Sequence, residues 1–210
     1  MRQITITILL LIGLQLFGQE KPSEQVKNKK YIAWFSPSKT TELYGLMFNF
    51  FPKFPDYHST DKYPEIYGSE INLNPLGLFT PFVLAIHSID PATHCPVANS
   101  LDSIEFDRFK IIHGIQVGLI NLEPTIINGL DINLSGSFES KTNGLTISLV
   151  MNKHYISNGL TIALIGNHDT KCNGVQIGLI NSAVNLKGVQ IGLWNKNQKR
   201  NLPIINWNFK

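Results

Sequence analysis

The chain has 210 residues, with 18 Lys plus Arg against 15 Asp plus Glu, a formal charge of +3. It is 43% hydrophobic but only 16% charged, below the roughly 25% charge of an average soluble domain. That composition excludes a disordered charged tail and argues against a nucleic-acid binder, which carries a dense basic face; the length suits one domain.

Arg2 precedes a mostly apolar run from Ile4 to Leu14, and Gly18 then offers a small residue before Gln19. A charged start, a short apolar core and a small residue read residues 1–18 as a secretory signal peptide. The run falls short of the roughly 20 apolar residues that cross a membrane as a helix, and no later stretch reaches that length, so no helical membrane span is expected. Export would place the chain in an oxidising space, where Cys95 and Cys172 are the one pair able to form a disulfide.

Residues 19–108 read as an irregular β region. It holds two degenerate repeat units, Tyr44-Gly45 followed by Leu46, Phe48 and Phe50, and Tyr67-Gly68 followed by Ser69, Ile71 and Leu73. Loops are expected from Pro52 to Glu65 and from Ser88 to Asp107, and an extra strand pair, broken by Pro81, from Leu76 to His87.

Residues 109–210 form the regular part of the same domain. Glycine recurs as Gly114, Gly129, Gly144, Gly159, Gly174 and Gly188, at spacings of 15, 15, 15, 15 and 14. One residue on stand Ile115, Leu130, Leu145, Leu160, Val175 and Val189; the positions three and five on are also Val, Ile or Leu. Between them lie Gln116, Asp131, Thr146, Thr161, Gln176 and Gln190, then Gly118, Asn133, Ser148, Ala163, Gly178 and Gly192. Apolar residues alternating with small or polar ones at period two are the pattern of a half-buried β-strand. Asn121, Asn152, Asn167, Asn181 and Asn195 close most units, and Asn128, Asn143, Asn158 and Asn173 precede four of the glycines. Asn and Gly tolerate positive φ, so turns are expected there.

Two all-β folds fit. The favoured one is a small β-solenoid of ~15-residue coils, since a near-constant period lets every coil meet the same neighbours; aligned Asn and Gln would then form ladders. Ala183 and Leu186 are its expected inward residues on the return side. The alternative is an antiparallel up-and-down meander or β-barrel, because Asn-Gly is a strong hairpin signal. In a membrane barrel Gln116, Thr146, Thr161 and Gln176 would face the lumen.

Gly174-Val175-Gln176-Ile177-Gly178-Leu179-Ile180-Asn181 and Gly188-Val189-Gln190-Ile191-Gly192-Leu193-Trp194-Asn195 resemble the repeat of bacterial surface-repeat proteins, exported envelope proteins of Gram-negative bacteria. The closing Leu202 to Trp207 is similar to their tail. The resemblance implies a location and a repeat architecture; it carries no activity, cofactor or site residue.

The chemistry-bearing residues do not assemble into a reaction. His94-Cys95 with Cys172 supplies too few ligands for a metal site, and His168-Asp169 lacks the third partner that a general base needs. No Gly-x-Ser-x-Gly elbow or phosphate-binding loop occurs. No catalytic, cofactor-binding or metal-ligating residue is therefore assigned. Residues 111–210 hold 8 basic and 4 acidic side chains; Lys196, Lys199, Arg200 and Lys210 are expected to form a solvated cap on the last coil. The sequence reads as an exported, non-enzymatic scaffold at the cell surface, in the outer membrane or in the periplasm. Its expected partners are envelope or surface components and not nucleic acid; the alternative is a small outer-membrane barrel or narrow pore.

Overall fold

The computed structural model describes residues 28–36, 41–51, 63–79 and 109–210. The expected signal peptide, His94, Cys95, the stretch 88–107 and most of the Pro52–Glu65 loop lie outside the described residues. The strands are β1 (Lys29–Ser36), β2 (Glu42–Asn49), β3 (Glu65–Asn72), β4 (Lys110–Asn121), β5 (Thr125–Ser148), β6 (Met151–Ala163), β7 (Gly166–Ile177), β8 (Ile180–Lys196) and β9 (Asn201–Asn208). They lie in one sheet in sequence order. Pairing is parallel from β1 through β8; only β8 and β9 are antiparallel.

This is the β-solenoid, and the antiparallel meander or barrel is not adopted. The 24-residue β5 shows how the coil closes. Its first part pairs with β4 and its second part with β6, so the chain rounds a corner within one strand. Each coil therefore has a front wall carrying the glycine and a return wall carrying the closing Asn. In register, Gly45 pairs with Gly68, Gly68 with Gly114 and Gly114 with Gly129. Gly144, Gly159, Gly174 and Gly188 continue the column.

The expected turns at Asn-Gly are not formed. The glycines sit inside strands, and none of the Asn residues preceding them has a positive φ. Gly159 shows what the column requires: its φ is 133°, and a Cβ there would lie 2.1 Å from the carbonyl oxygen of Gly144. Coils stacked so closely leave no room for a side chain, so the period in the sequence is the period of a backbone contact.

A further coil precedes those expected. β1 places Ile32 opposite Gly45, with φ 79°, a conformation that is strained for a β-branched residue. The expected strand pair at Leu76–His87 is not seen in its described part. Residues 76–79 form a single helical turn, closed by Gly77 N–H to Asn74 O at 3.0 Å, as Pro75 ends the extended chain.

Alternation makes the strands half-buried, and the structure shows which face is inside. The Gln, Asp and Thr positions face inward: Gln116, Asp131, Thr146 and Gln176 are fully buried. These side chains pack the interior and do not line an open lumen. The Val, Ile and Leu positions face outward, with Leu164 60% and Leu193 69% exposed. Apolar packing inside forms two clusters, Leu43, Met47, Ile66, Ile112 and Ile127 near the first coils and Cys172, Ala183 and Leu186 near the last, with Ile120, Val150, Met151 and Ala163 buried singly between them. Ala183 and Leu186 thus point inward as expected.

β9 closes the stack. It crosses β8 in the antiparallel sense, placing Asn206 and Asn208 inward and leaving Ile205 and Trp207 outward. Arg200 stacks on the Trp207 ring at 4.4 Å and donates to the Trp207 carbonyl at 2.8 Å. Lys199 donates to Asn208 Oδ1 at 2.9 Å. The basic cluster at the end of the chain is therefore part of the cap.

Candidate functional site

Three sets of aligned side chains bear on function: the polar interior, a polar border on the outside, and the outward apolar face. The interior is held by ladders. Asn152 donates to Asn167 at 2.9 Å, Asn167 to Asn181 at 2.8 Å, and Asn181 to Asn195 at 2.8 Å. Each of the first three also donates to a front-wall carbonyl, as Asn167 does to Ile177 O at 2.9 Å. Gln190 donates to Gln176 at 2.7 Å, and Asn206 donates to Gln190 at 3.2 Å. A polar interior is tolerable because these groups exchange water for one another, coil after coil.

The titratable groups lie in the same interior. Lys110 Nζ donates to Glu70 at 2.7 Å and to Glu123, with all three buried. Burial alone would lower the Lys110 pKa, but the carboxylates of Glu123 and Glu70 outweigh it and hold the ammonium charged. Burial raises the Glu70 pKa; the Lys110 charge opposes that rise, and Glu123 adds to it. One coil on, burial and the charge of Asp131 hold Glu139 well above the usual carboxylate range. Glu139 accepts from Asn121 at 3.1 Å, and Asp131 accepts from Ser137 at 2.7 Å and Asn133 at 2.8 Å.

The dyad read in the sequence as His168-Asp169 is not formed by those neighbours. Along a strand they point to opposite sides, and Asp169 meets His154 from the adjacent coil, Nδ1 to Oδ1 at 2.9 Å. Asp169 also accepts from Ser157 at 2.5 Å and Gln176 at 2.8 Å. This Ser, His and Asp set is not a nucleophile relay. The Ser157 hydroxyl is donated to the carboxylate and not to the imidazole, and all three side chains are buried. Cys172 is a free thiol beside Ala183 and Leu186. Burial first, and the Asp169 charge second, push its pKa up to about 12, which leaves it an inert thiol.

On the outside, the position before each glycine forms a continuous border. Tyr31, Tyr44, Tyr67 and His113 stack in turn, with ring centroids 5.5, 5.0 and 4.9 Å apart. Asn128, 3.4 Å from His113 Nδ1, continues it, and Asn143, Asn158 and Asn173 each donate to the one before at 2.6–2.7 Å. Next to this border lies the apolar face, a shallow trough of ≈ 950 Å³ running across the coils from Val117 to Ile204. Two apolar columns line it, typified by Ile162 and Leu164, and a third, typified by Leu160, stands half-buried on the same outward side.

Sequence reasoning missed the buried ion cluster and the return-wall column of Glu139, His154 and Asp169. The signal for that column was available, since these residues recur at the same 15-residue spacing as the glycines and register directly with one another. Among the described residues no group of three or more His, Cys, Asp and Glu is placed to hold a metal ion, and no helix is long and apolar enough to cross a membrane. In comparisons with protein-family models, curated proteins and solved structures, nothing matches this chain.

Proposed function

We propose that the chain is an exported, non-enzymatic repeat protein of the cell surface or envelope that acts as a structural or binding scaffold. The observation that carries this reading is the division of chemistry between inside and outside. The described carboxylates of the regular coils, His154 and the Cys172 thiol are engaged in the interior, where substrate has no access. The surface offers an extended face of aliphatic side chains bordered by stacked rings and Asn amides. Such a face suits contact with another large apolar surface, not turnover of a small polar molecule. The apolar start of the chain and the resemblance of its repeats to surface-repeat proteins supply the export part of the reading.

Fractionation of a Gram-negative host expressing the full chain, with mass spectrometry of the N-terminus, tests location. Recovery in the envelope or medium, cut near Gln19, is expected; an intact chain confined to the cytoplasm overturns export. Incubation with a panel of cell-wall polymers tests the non-enzymatic part, which turnover of any of them would refute.

A further inference from the structure

We infer that the outward apolar face is an interface on which a second copy of this chain packs, sheet face against sheet face. Ordinary domains bury their aliphatic side chains, and a contiguous exposed apolar patch of more than a few hundred Å² marks an interaction surface. Here the interior is mainly polar, while three aliphatic columns stand outside, with Val117, Leu134, Leu149, Leu164, Leu179 and Leu193 each more than 40% exposed. Most of the hydrophobic burial this chain can gain therefore comes from covering that face.

The dimensions fit another copy. Rows about 4.8 Å apart, taken over the seven from Val117 to Ile204, and a width of about 15–20 Å give a face on the order of 600 Å². A standard interface buries roughly 600–1,000 Å² per partner, so pairing the whole face reaches the lower end of that size. Rows at one spacing on both partners also let side chains interdigitate, as in stacked sheets about 10 Å apart. The borders argue against an anionic lipid surface as occupant. The Asn128 to Asn173 ladder is uncharged, and in the described part of that border Lys187 is the only Lys or Arg, whereas surface-lying lipid binders set basic residues beside the apolar face.

The inference does not rest on export. Sedimentation equilibrium of the purified full chain without detergent tests it. The wild-type chain is expected to sediment at the mass of two chains, and the doubly substituted Ile147→Glu, Ile162→Glu chain at the mass of one, with unchanged β-type circular dichroism because both side chains point out of the sheet. Should that variant not fold, Ile147→Cys in the wild-type background replaces it. Maleimide labelling of the introduced thiol, followed by mass spectrometry of its peptide, is expected to slow at least tenfold as protein concentration rises into the dimeric range. A wild-type monomer at all concentrations, a substituted chain that stays dimeric, a concentration-independent labelling rate, or a monomer that floats with neutral phosphatidylcholine vesicles would each overturn it.

Discussion

Replacing Gly159 by Ala probes the contact that sets the repeat. The new methyl would lie 2.1 Å from Gly144 O, whereas real Cβ atoms essentially never come within 3.0 Å of such a neighbour. The obstacle is backbone, so two coils must part by about 1 Å or the strand must rotate away from its partner; overpacking of that kind costs about 1–3 kcal/mol. The φ of 133° adds about 1–3 kcal/mol for a residue with a Cβ. The lower entropy of the unfolded Ala chain offsets about 0.4–1 kcal/mol. The net loss expected is about 1–5.5 kcal/mol, or a urea midpoint lowered by roughly 0.5–3 M at a slope of about 2 kcal/mol/M. Gly166→Ala is the internal control: its φ is not positive, and its Cβ would first meet the His168 side chain at 3.0 Å and Ile180 O at 3.4 Å. That variant is expected to lose less than about 1 kcal/mol, because the neighbour that must give by a few tenths of an ångström is a half-buried side chain and not backbone. Urea unfolding of both variants by circular dichroism decides the matter. Equal losses would refute the claim that coil-to-coil backbone contact enforces the glycine column.

The other expectations concern the interior. Asn167→Ala removes a donor to Ile177 O and Asn181 and the acceptor of Asn152; at about 1 kcal/mol per buried hydrogen bond plus stranded partners, a loss of about 2–4 kcal/mol is expected. Asn158→Ala breaks the more exposed outer ladder and should cost less than half as much in the same urea titration. Lys110→Met leaves Glu70 and Glu123 together without their cation, for an expected loss of about 3–5 kcal/mol by thermal melting. Glu139 has a folded pKa raised by burial and by Asp131, so the native state binds the extra proton. Its stabilisation is complete below the unfolded value, about 4.3, and is lost as pH rises through the folded value. The melting temperature should therefore fall as pH climbs from about 4.5, and Glu139→Gln should flatten that fall; an unchanged slope in the variant would place the effect elsewhere.

The coil period was legible because parallel stacking sets each residue over its own counterpart. Gly114 through Gly188 share one backbone contact, and Asn152 through Asn195 share one hydrogen-bond chain, so the same residue type had to recur. The first coil was hidden for the complementary reason: Ile32 takes the glycine position at φ 79°, and the marker disappears while the backbone geometry is kept. Asn-Gly misled because φ > 0 has two uses. In a hairpin it reverses the chain, whereas here, at Gly144 and Gly159, it lets an extended strand pass close beneath its neighbour.

The sidedness of the strands was not legible from alternation, which is symmetric between its two faces. The identity of the recurring polar residues explains how the interior is satisfied. Gln176 above Gln190, or Asn167 above Asn181, supplies a donor and an acceptor in one side chain at one coil spacing, so each amide satisfies the next. Lys at those positions offers no acceptor, and Ser has too short a reach to bridge one coil to the next. Amide repetition alone does not fix the side, since Asn128 to Asn173 form a ladder on the outside; Asn152, Asn167 and Asn181 point inward because each also donates to a carbonyl of the facing wall, and the aliphatic columns are left to the surface.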